Sequence, residues 1–403
     1  MGRQSRVSNV LVRGPLAPFA EAYRRALLER CYTPLSMVSL QRQVAHLSGW
    51  LDGQGIVVGQ LDEASIDAFF AFQRSIGRDP SGFSRPGLVC LLGVLRDLGV
   101  VSVAARSALS PSEELIDGFG RYLVSERGLA AGTVVNYVEG ARRFVAGRGA
   151  AELRGVTSAE VTAAVLAKST VVSVSATQNY VAGLRAFLRF CFVEGFVDCD
   201  ISQAALAITG RRRSGLPRGI FKSDADALLA SCDRRTPIGR RDYALIIILL
   251  RLGLRRGEVA RLKLGDIDWR AGELVVAGKG GRLDRLPLPV DVGEAIAGYL
   301  KRGRPVSDRR EVFLRAKAPF EPIAAGTVAS TVRRACRRAG VAEVGSHRLR
   351  HTAACDMVAA QVPLPQIAQV LRHRSLQSTA IYARVDIERL RELAQPWPGQ
   401  CAR

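Results

Sequence analysis

The sequence predicts a mainly α-helical fold with a small β-sheet, in which helical modules precede a mixed α/β domain. Apolar residues recur at helical spacing through the first half and again toward the C-terminal end, whereas short strand-like runs occur only in residues 267–289 and 312–315. A chain of 403 residues with 48% hydrophobic content can also form more than one core. We therefore expect a soluble protein of two or three domains.

The charge distribution indicates a polyanionic partner. The net charge is +21, and residues 1–207 hold 21 Lys and Arg against 18 Asp and Glu, whereas residues 208–403 hold 37 against 19. Basic side chains neutralise phosphates and release their counterions, so nucleic acid is the leading candidate and the second half is expected to carry most of the contact. An arginine content set by codon usage is the alternative.

The cellular setting is predicted from what the sequence lacks. The eight cysteines form no C-x-x-C pair or Cys/His cluster, which favours a reduced protein without a structural metal. The first residues, MGRQSRVSNVLVRG, have no continuous apolar stretch, and the apolar run at 244–250 is too short to span a bilayer. We expect a cytoplasmic, nucleoid-associated protein that contacts no membrane and needs no cofactor.

Two N-terminal segments share one helical pattern. Residues 27–47 and 123–144 each contain an amphipathic helix after a small-residue cap, and each segment is followed by a short helix and then an apolar helix. The repetition predicts two tandem four-helix modules, residues 1–110 and 111–207. Two unrelated bundles are the alternative.

A basic linker is predicted between residues 208 and 219, ITGRRRSGLPRG. Glycine and proline interrupt regular structure there, and a chain of this composition can lie along a phosphate backbone. A solvated charge run is the alternative. The arginines in question are Arg211, Arg212, Arg213 and Arg218.

Residues 220–403 have the mixed pattern of an α/β domain. A Gly-rich turn, GKGG at 278–281, joins two predicted strands. The expected helices are 223–232, 241–252, 292–301, 325–339, 347–360, 364–371 and 378–394, and the expected strands lie in 267–276, 282–289 and 312–315.

Four elements in this domain carry side chains suited to phosphate chemistry. They are GLRRGEVARLKLGDID (253–268), AGKGG (277–281), SHRLRHT (346–352) and LRHRSLQSTAIYARV (371–385). In the third, His347 and Arg350 are three residues apart on one helix face, so an imidazole and a guanidinium can reach one anionic oxygen. Taken alone, this spacing equally fits a surface pair.

Histidine and lysine are scarce, which gives their positions weight. Three of the four histidines, His347, His351 and His373, fall in the last fifth of the chain near Tyr382, which favours a site over scattered core residues. Lys279 lies at the Gly-flanked turn, where a lysine can donate a proton and an arginine cannot. An ordinary polar turn residue is the alternative for Lys279.

In this order the four elements resemble the tyrosine recombinases, the phage-integrase and Xer-like enzymes. The shared text is G-L-R with a Glu three residues later, G-K-G in a hairpin, H-x-L-R-H-T, and L-x-H with a Tyr nine residues after the His. The resemblance covers residues 220–394, and residues 111–207 are similar to the family's SAM-like core-binding domain. It implies a catalytic domain of the tyrosine recombinase type.

The resemblance also implies which residues hold the scissile phosphate. Arg255 and Arg350 would grip its nonbridging oxygens, and His373 would donate a hydrogen bond to it. Glu258 and Asp266 match family positions that support these residues without touching the phosphate.

The remaining implied roles concern the nucleophile and the leaving group. Tyr382 would attack phosphorus, His347 would assist proton transfer at its hydroxyl, and Lys279 would protonate the departing 5′ oxygen. A phenol with a pKa of about 10 needs such cationic neighbours and a base. Two arginines can stabilise the transition-state charge where other nucleases use Mg²⁺, so no metal is expected. A phosphotyrosine ester conserves the bond energy, so no ATP is expected.

The implied function is site-specific DNA recombination of the integrase or transposase kind. The expected assembly is a homotetramer, or a heterotetramer with related recombinases, on two double-stranded DNA duplexes. Residues 386–395 are either a helix exchanged between subunits or one that packs on its own domain. Arg372, which stands where a Gly is frequent in the family, bears on the subfamily, and the extra N-terminal module favours a mobile-element enzyme.

Two other functions remain open at this stage. A catalytically silent DNA-binding accessory protein would keep the fold but has no physical need for all six catalytic side chains. A type IB topoisomerase-like enzyme would share the nucleophile but fits the motif text less well. The DNA target, and the choice among integration, excision and resolution, do not follow from one sequence.

Overall fold

The structure is a computed structural model that describes residues 10–77, 84–102, 110–146, 150–208, 219–278, 282–372, 379 and 382. These ranges contain fifteen α-helices and three β-strands, which confirms the predicted mainly helical fold with a small sheet. Among the described residues, no helix is long and apolar enough to cross a membrane. The chain divides into two compact units, Met1–Val100 with Gly215–Arg403, and Val101–Ser214. The predicted domain boundaries remain a prediction.

The first segment consists of four helices with capped N-termini. The side chains of Thr33, Asp62 and Ser84 accept hydrogen bonds from backbone N–H groups in the first turn of the second, third and fourth helices. Leu27, Leu47, Phe69 and Leu91 are fully buried on the inner faces. The helices are α1 (Ala20–Glu29), α2 (Pro34–Gln54), α3 (Glu63–Ser75) and α4 (Arg85–Asp97).

The second unit also contains four helices. α5 (Pro111–Ser125) and α7 (Ser158–Val171) each begin with a capping box, in which a hydroxyl and a glutamate satisfy each other's backbone N–H groups. α6 (Ala131–Val145) and α8 (Val174–Val193) complete the set, and the ring of Phe187 on α8 meets Phe119 on α5 edge-on at 5.2 Å. The equal helix count agrees with the repeated sequence pattern, whereas duplication of one module stays a prediction.

The C-terminal segment contains the three strands in one antiparallel sheet of order β1-β2-β3. Leu274 and Val276 on β2 and Leu286 on β3 are buried, while their neighbours in sequence are more exposed, so one face packs on the core. The predicted turn residue Lys279 lies outside the described residues. The strands are β1 (Ile267–Asp268), β2 (Glu273–Ala277) and β3 (Leu283–Pro287).

Six helices of this segment match predicted ones closely, whereas the helix Arg256–Arg261 was not predicted. The helix predicted at 378–394 lies outside the described residues except for Thr379 and Tyr382. The apolar run at 244–250 lies in the second of the observed helices and is buried throughout, because the other helices and the sheet surround it. The observed helices are α9 (Lys222–Ala230), α10 (Pro237–Arg251), α11 (Arg256–Arg261), α12 (Val290–Arg302), α13 (Ala325–Ala339), α14 (Ser346–Ala359) and α15 (Leu364–Val370).

The strand predicted at 312–315 is not formed. Leu314 makes only an isolated bridge with Pro322, although Val312 and Phe313 are fully buried as a strand would require. No neighbouring residue pair extends this bridge, so no ladder forms. The prediction was wrong because burial was taken for strand pairing.

Candidate active site

The end of α10 brings a backbone carbonyl to a buried arginine. Gly253 follows α10 with φ +56°, and a Cβ at this position would lie 2.7 Å from a methyl group of Leu371, so only glycine fits without displacement. Its carbonyl accepts a hydrogen bond from Nη1 of Arg350 on α14. Arg350 is 2% exposed, and its Nη2 donates to the carbonyl of Leu371. The glycine of G-L-R therefore supports the arginine of the H-x-x-R motif.

Burial affects the acidity of Arg350. Desolvation and the neighbouring charges of Arg255 and Arg372 lower its pKa to about 10. This pKa still leaves the guanidinium protonated at neutral pH, and the two carbonyl dipoles compensate part of its desolvation. The domain thus holds a positive charge in a buried position.

Arg255 is fixed by the first turn of α11. It is the N-cap residue, and its backbone N–H and Nη1 each donate a 2.7 Å hydrogen bond to the carboxylate of Glu258. Its Nη2 donates to the carbonyl of Arg372 at 3.2 Å. The side chain is nevertheless 44% exposed, so part of the guanidinium is accessible to a ligand.

Glu258 is a buried carboxylate shared by two arginines. Its side chain is 3% exposed, and Nη2 of Arg372, equally buried, lies 2.7 Å from its second oxygen. Burial alone would raise the pKa of Glu258, but the charges of Arg372 and Arg255 and the hydrogen bonds from Arg255 outweigh it and hold this pKa below its usual range. The carboxylate is therefore ionised and holds the backbone and the side chain of Arg255.

The C-terminal end of α15 faces both guanidinium groups. The consecutive carbonyls of Leu371 and Arg372 accept from Arg350 and Arg255 respectively. The last carbonyls of a helix have no intrahelical partner and carry partial negative charge, so they attract cations. The residues just before the predicted His373 thus align the two predicted phosphate-binding arginines.

Tyr382 contacts a histidine with its hydroxyl. The oxygen lies 2.6 Å from Nδ1 of His351, and the side chain packs against Ala354, Val358 and Leu371. The residue is 2% exposed, and burial raises the pKa of its phenol to about 12, although the charge of Arg350 opposes this. In this arrangement the phenol is protonated.

The two histidines of α14 lie side by side. The rings of His347 and His351 meet edge-on with centroids 4.5 Å apart. Desolvation, the neighbouring His347 and the charge of Arg350 lower the pKa of His351 to about 4. Partial desolvation and the charges of Arg350 and Arg255 lower the pKa of His347 as well. At neutral pH the ring of His351 is uncharged, so its Nδ1 can accept a proton from the tyrosine hydroxyl.

The structure brings together five of the predicted site residues and separates one. The carboxylate of Asp266 accepts a 2.8 Å hydrogen bond from the backbone of Lys263, and within the described residues no hydrogen bond joins it to the arginines or histidines. The residues brought together are Arg255, Glu258, His347, Arg350 and Tyr382. Those outside the described residues are Lys279, His373, Arg211, Arg212, Arg213 and Arg218.

Two residues of the cluster, His351 and Arg372, have no role predicted from the sequence. His351 adjoins Arg350 and lies one helical turn after His347, and this i,i+4 spacing was the signal that could have found it. Arg372 was recognised only as a departure from glycine. Its ion pair with Glu258 joins residues 114 positions apart, which no local pattern can predict.

Comparison with known proteins identifies relatives over almost the whole chain. The phage integrase family matches residues 220–389. The integrase/recombinase y4rA of Sinorhizobium fredii is 37% identical over 96% of both chains. The tyrosine recombinase XerD of Mycobacterium tuberculosis is 29% identical over 70% of this chain and 96% of its own.

Solved structures share the fold. A lambda integrase tetramer bound to a Holliday junction has a TM-score of 0.53 at 19% identity, covering 76% of this chain and 87% of that one. XerH bound to a difH substrate after cleavage has a TM-score of 0.51 at 17% identity, covering 73% and 98%.

The helical units and the small sheet, together with these relatives, define a site-specific recombinase of the tyrosine type. The identity to y4rA over nearly all of both chains shows the family, and the chain belongs to the phage integrase family.

Proposed function

We propose that this enzyme cleaves and rejoins double-stranded DNA through attack of Tyr382 on a phosphodiester. The observation that carries the proposal is the hydrogen bond from the tyrosine hydroxyl to His351, next to the buried Arg350 on the same helix. The phenolic oxygen forms a bond to phosphorus while the bond from phosphorus to the 5′ oxygen breaks. The product is a 3′-phosphotyrosine ester and a free 5′ hydroxyl, and the reverse step joins the strand to a new 5′ hydroxyl.

Two protons move in this step. The tyrosine proton passes to Nδ1 of His351, which lies 2.6 Å from the hydroxyl oxygen, with His347 beside it. We assign His351 ahead of His347 on this distance. Lys279 supplies the proton that the departing 5′ oxygen needs, a role that rests on the family resemblance.

The positive side chains stabilise the charge of the pentavalent transition state. Arg255 and Arg350 bind the nonbridging oxygens. Each guanidinium has five N–H donors. The carbonyls and Glu258 accept from only some of these N–H groups, so the others can donate to the phosphate. His373 donates to the same phosphate by resemblance. With this charge supplied by the protein, the reaction proceeds without metal, and conservation of the ester bond energy makes ATP unnecessary.

The proposed partner is duplex DNA, bound by a tetramer on two duplexes. The net charge of +21 and the DNA-bound state of the solved relatives support it, and one of these relatives is a tetramer on a Holliday junction. The proposed organisation is two helical modules, 1–110 and 111–207, and a catalytic domain, 220–403. The linker at 208–219 lets the helical modules and the catalytic domain clamp the duplex from opposite sides. The proposed location is the nucleoid.

The test is covalent trapping on a nicked substrate. Duplexes tiled across the DNA that flanks the protein's own gene, each with a nick placed to let the freed 5′ fragment diffuse away, are incubated with the full chain. We expect an adduct that resists denaturation and contains phosphotyrosine. Tyr382→Phe, which keeps the ring and its packing, should form none.

Three results would contradict the proposal. Binding of these duplexes without any adduct would indicate a silent DNA-binding protein. An adduct that persists in Tyr382→Phe would exclude this nucleophile. Relaxation of arbitrary supercoiled plasmid at low enzyme ratio would indicate a topoisomerase-like reaction.

A further inference from the structure

Arg372 has a backbone conformation that an arginine rarely adopts. It follows α15 with φ +54°, in the left-handed region where glycine is favoured and where family members frequently have glycine. An arginine at this position either has no role or makes contacts strong enough to offset the strain. The hydrogen bonds of Arg372 distinguish these two possibilities.

The side chain and the backbone of Arg372 both hold Arg255. Its Nη2 pairs with Glu258 at 2.7 Å, and the other oxygen of Glu258 accepts from Nη1 of Arg255 at 2.7 Å. Its carbonyl accepts from Nη2 of Arg255 at 3.2 Å. The three residues therefore form a closed ring of hydrogen bonds, and Nη1 of Arg372 is fixed by the carbonyl of Val370 at 2.9 Å.

The charge of this ring follows from its members. A lone Arg255–Glu258 pair is neutral, because the carboxylate cancels the guanidinium that should meet the phosphate. Arg372 adds a second guanidinium, buried to 3% exposure, and the ring then has one uncompensated positive charge. A charge fixed in a partly desolvated position acts on a nearby anion more strongly than one in water.

We propose that Arg372 is a positioning residue that neutralises Glu258, aligns Arg255 and leaves the ring one positive charge for the scissile phosphate. The inference rests on the proposed function and assigns Arg372 no contact with DNA. A purely structural ion pair is the competing explanation. Such a pair would change stability without changing the pH dependence of cleavage.

The experiment compares single-turnover cleavage of the nicked duplex by matched variants of the full chain. Arg372→Gly suits the left-handed backbone but removes the guanidinium, Arg372→Asn also tolerates that backbone, and Arg372→Lys keeps the charge. Gln361→Gly is the control, because Gln361 follows α14 with φ +57° and is exposed. It removes a left-handed side chain after a helix in the same domain without touching Glu258.

We expect Arg372→Gly and Arg372→Asn to cleave about tenfold or more slowly, with Arg372→Lys closer to wild type and Gln361→Gly unchanged. The charge of Arg372 is the largest influence that lowers the pKa of Glu258. Without it the carboxylate takes up a proton at higher pH, so the acid limb of the rate profile should move to higher pH in the two uncharged variants. In Arg372→Lys the acid limb of the rate profile should stay at the wild-type pH.

Two outcomes would overturn the inference. One is wild-type rates and pH limbs in both uncharged variants. The other is a rate loss in Arg372→Lys as large as that in Arg372→Gly, with the rate loss of each variant following its decrease in melting temperature. Both are read against a wild-type adduct that Tyr382→Phe abolishes, so failure of the proposed function would appear separately as the absence of that adduct.

Discussion

The hydroxyl of Tyr382 lies 2.6 Å from Nδ1 of His351, a histidine of α14 adjacent to the buried Arg350. The imidazole is neutral at pH 7, since its pKa is about 4, and the phenol is protonated, since its pKa is about 12. Proton transfer between them is therefore unfavourable until a phosphate and its cations change the balance. In the proposed mechanism, this pairing keeps the nucleophile in place but unreactive without DNA.

Removing the proton acceptor should slow cleavage more than removing its neighbour. His351→Gln keeps a polar side chain but takes no proton, and we expect the cleavage rate to fall about 10²-fold or more, as for loss of a general base. His347→Gln should lose less than His351→Gln. Single-turnover rates on the nicked duplex, with binding measured by gel shift, test this order, and a larger loss in His347→Gln would return the role to that residue.

His351 should also make stability depend on pH. Its folded pKa of about 4 lies below the ordinary value of 6.5, so the unfolded chain takes up a proton as the pH falls below 6.5 while the folded chain does not. The free energy of unfolding should decrease between pH 6.5 and 4, by on the order of 1–2 kcal/mol once screening of this half-buried ring is allowed for.

Urea unfolding at pH 7 and pH 4.5 measures this effect. Carboxylates also titrate in this window, so the test is the difference between wild type and His351→Gln at each pH. The free energy of unfolding of the variant, relative to that of wild type, should therefore be higher at pH 4.5 than at pH 7. An equal loss of stability in both proteins would contradict the proposed shift.

Gly253 should not tolerate a side chain. Alanine there would combine a left-handed backbone with a Cβ 2.7 Å from Leu371, and we expect a loss of about 2–3 kcal/mol of stability and slower cleavage because the carbonyl that holds Arg350 moves. Gly340→Ala is the control, since Gly340 has φ +67° with no heavy atom within 4 Å of an added Cβ.

The control should lose only the backbone contribution, about 1 kcal/mol, and retain cleavage. Thermal melting and the nicked-duplex assay report the two effects. Equal losses in the two variants would show that the contact with Leu371 has no role.

A lysine should not replace Arg350. The guanidinium spans the carbonyls of Gly253 and Leu371 with two different nitrogens, whereas an ammonium is a single point. We expect Arg350→Lys to lower the cleavage rate about 10²- to 10³-fold, the usual effect of losing a preorganised donor to a transition state. The exposed neighbour variant Arg348→Lys should stay close to wild type, and similar rates for the two lysine variants would contradict this role.

Much of this fold and site could be predicted from local patterns. The helix over Ala325–Ala339 was predicted at its observed bounds, because short-range backbone preferences and hydrophobic periodicity set them. For the same reason β3 lies within its predicted segment, and β2 extends only one residue beyond its own. Leu314 shows the limit, since the apolar run around it predicted a strand while the residue forms only an isolated bridge with Pro322. Whether a strand forms depends on pairing with other residues, which a local pattern does not contain.

The sequence alone determined the types and order of the chemical groups. It placed Arg255 before Glu258, His347 before Arg350, and Tyr382 after both pairs. Helical spacing by itself makes the two members of each pair neighbours. Tertiary structure alone decided that His351 contacts the tyrosine hydroxyl, that the carbonyls after α15 align both arginines, and that Arg372 shares the carboxylate of Glu258. These contacts join residues 31, 117 and 114 positions apart, so they exist only once α11, α14 and the residues that follow α15 are brought together.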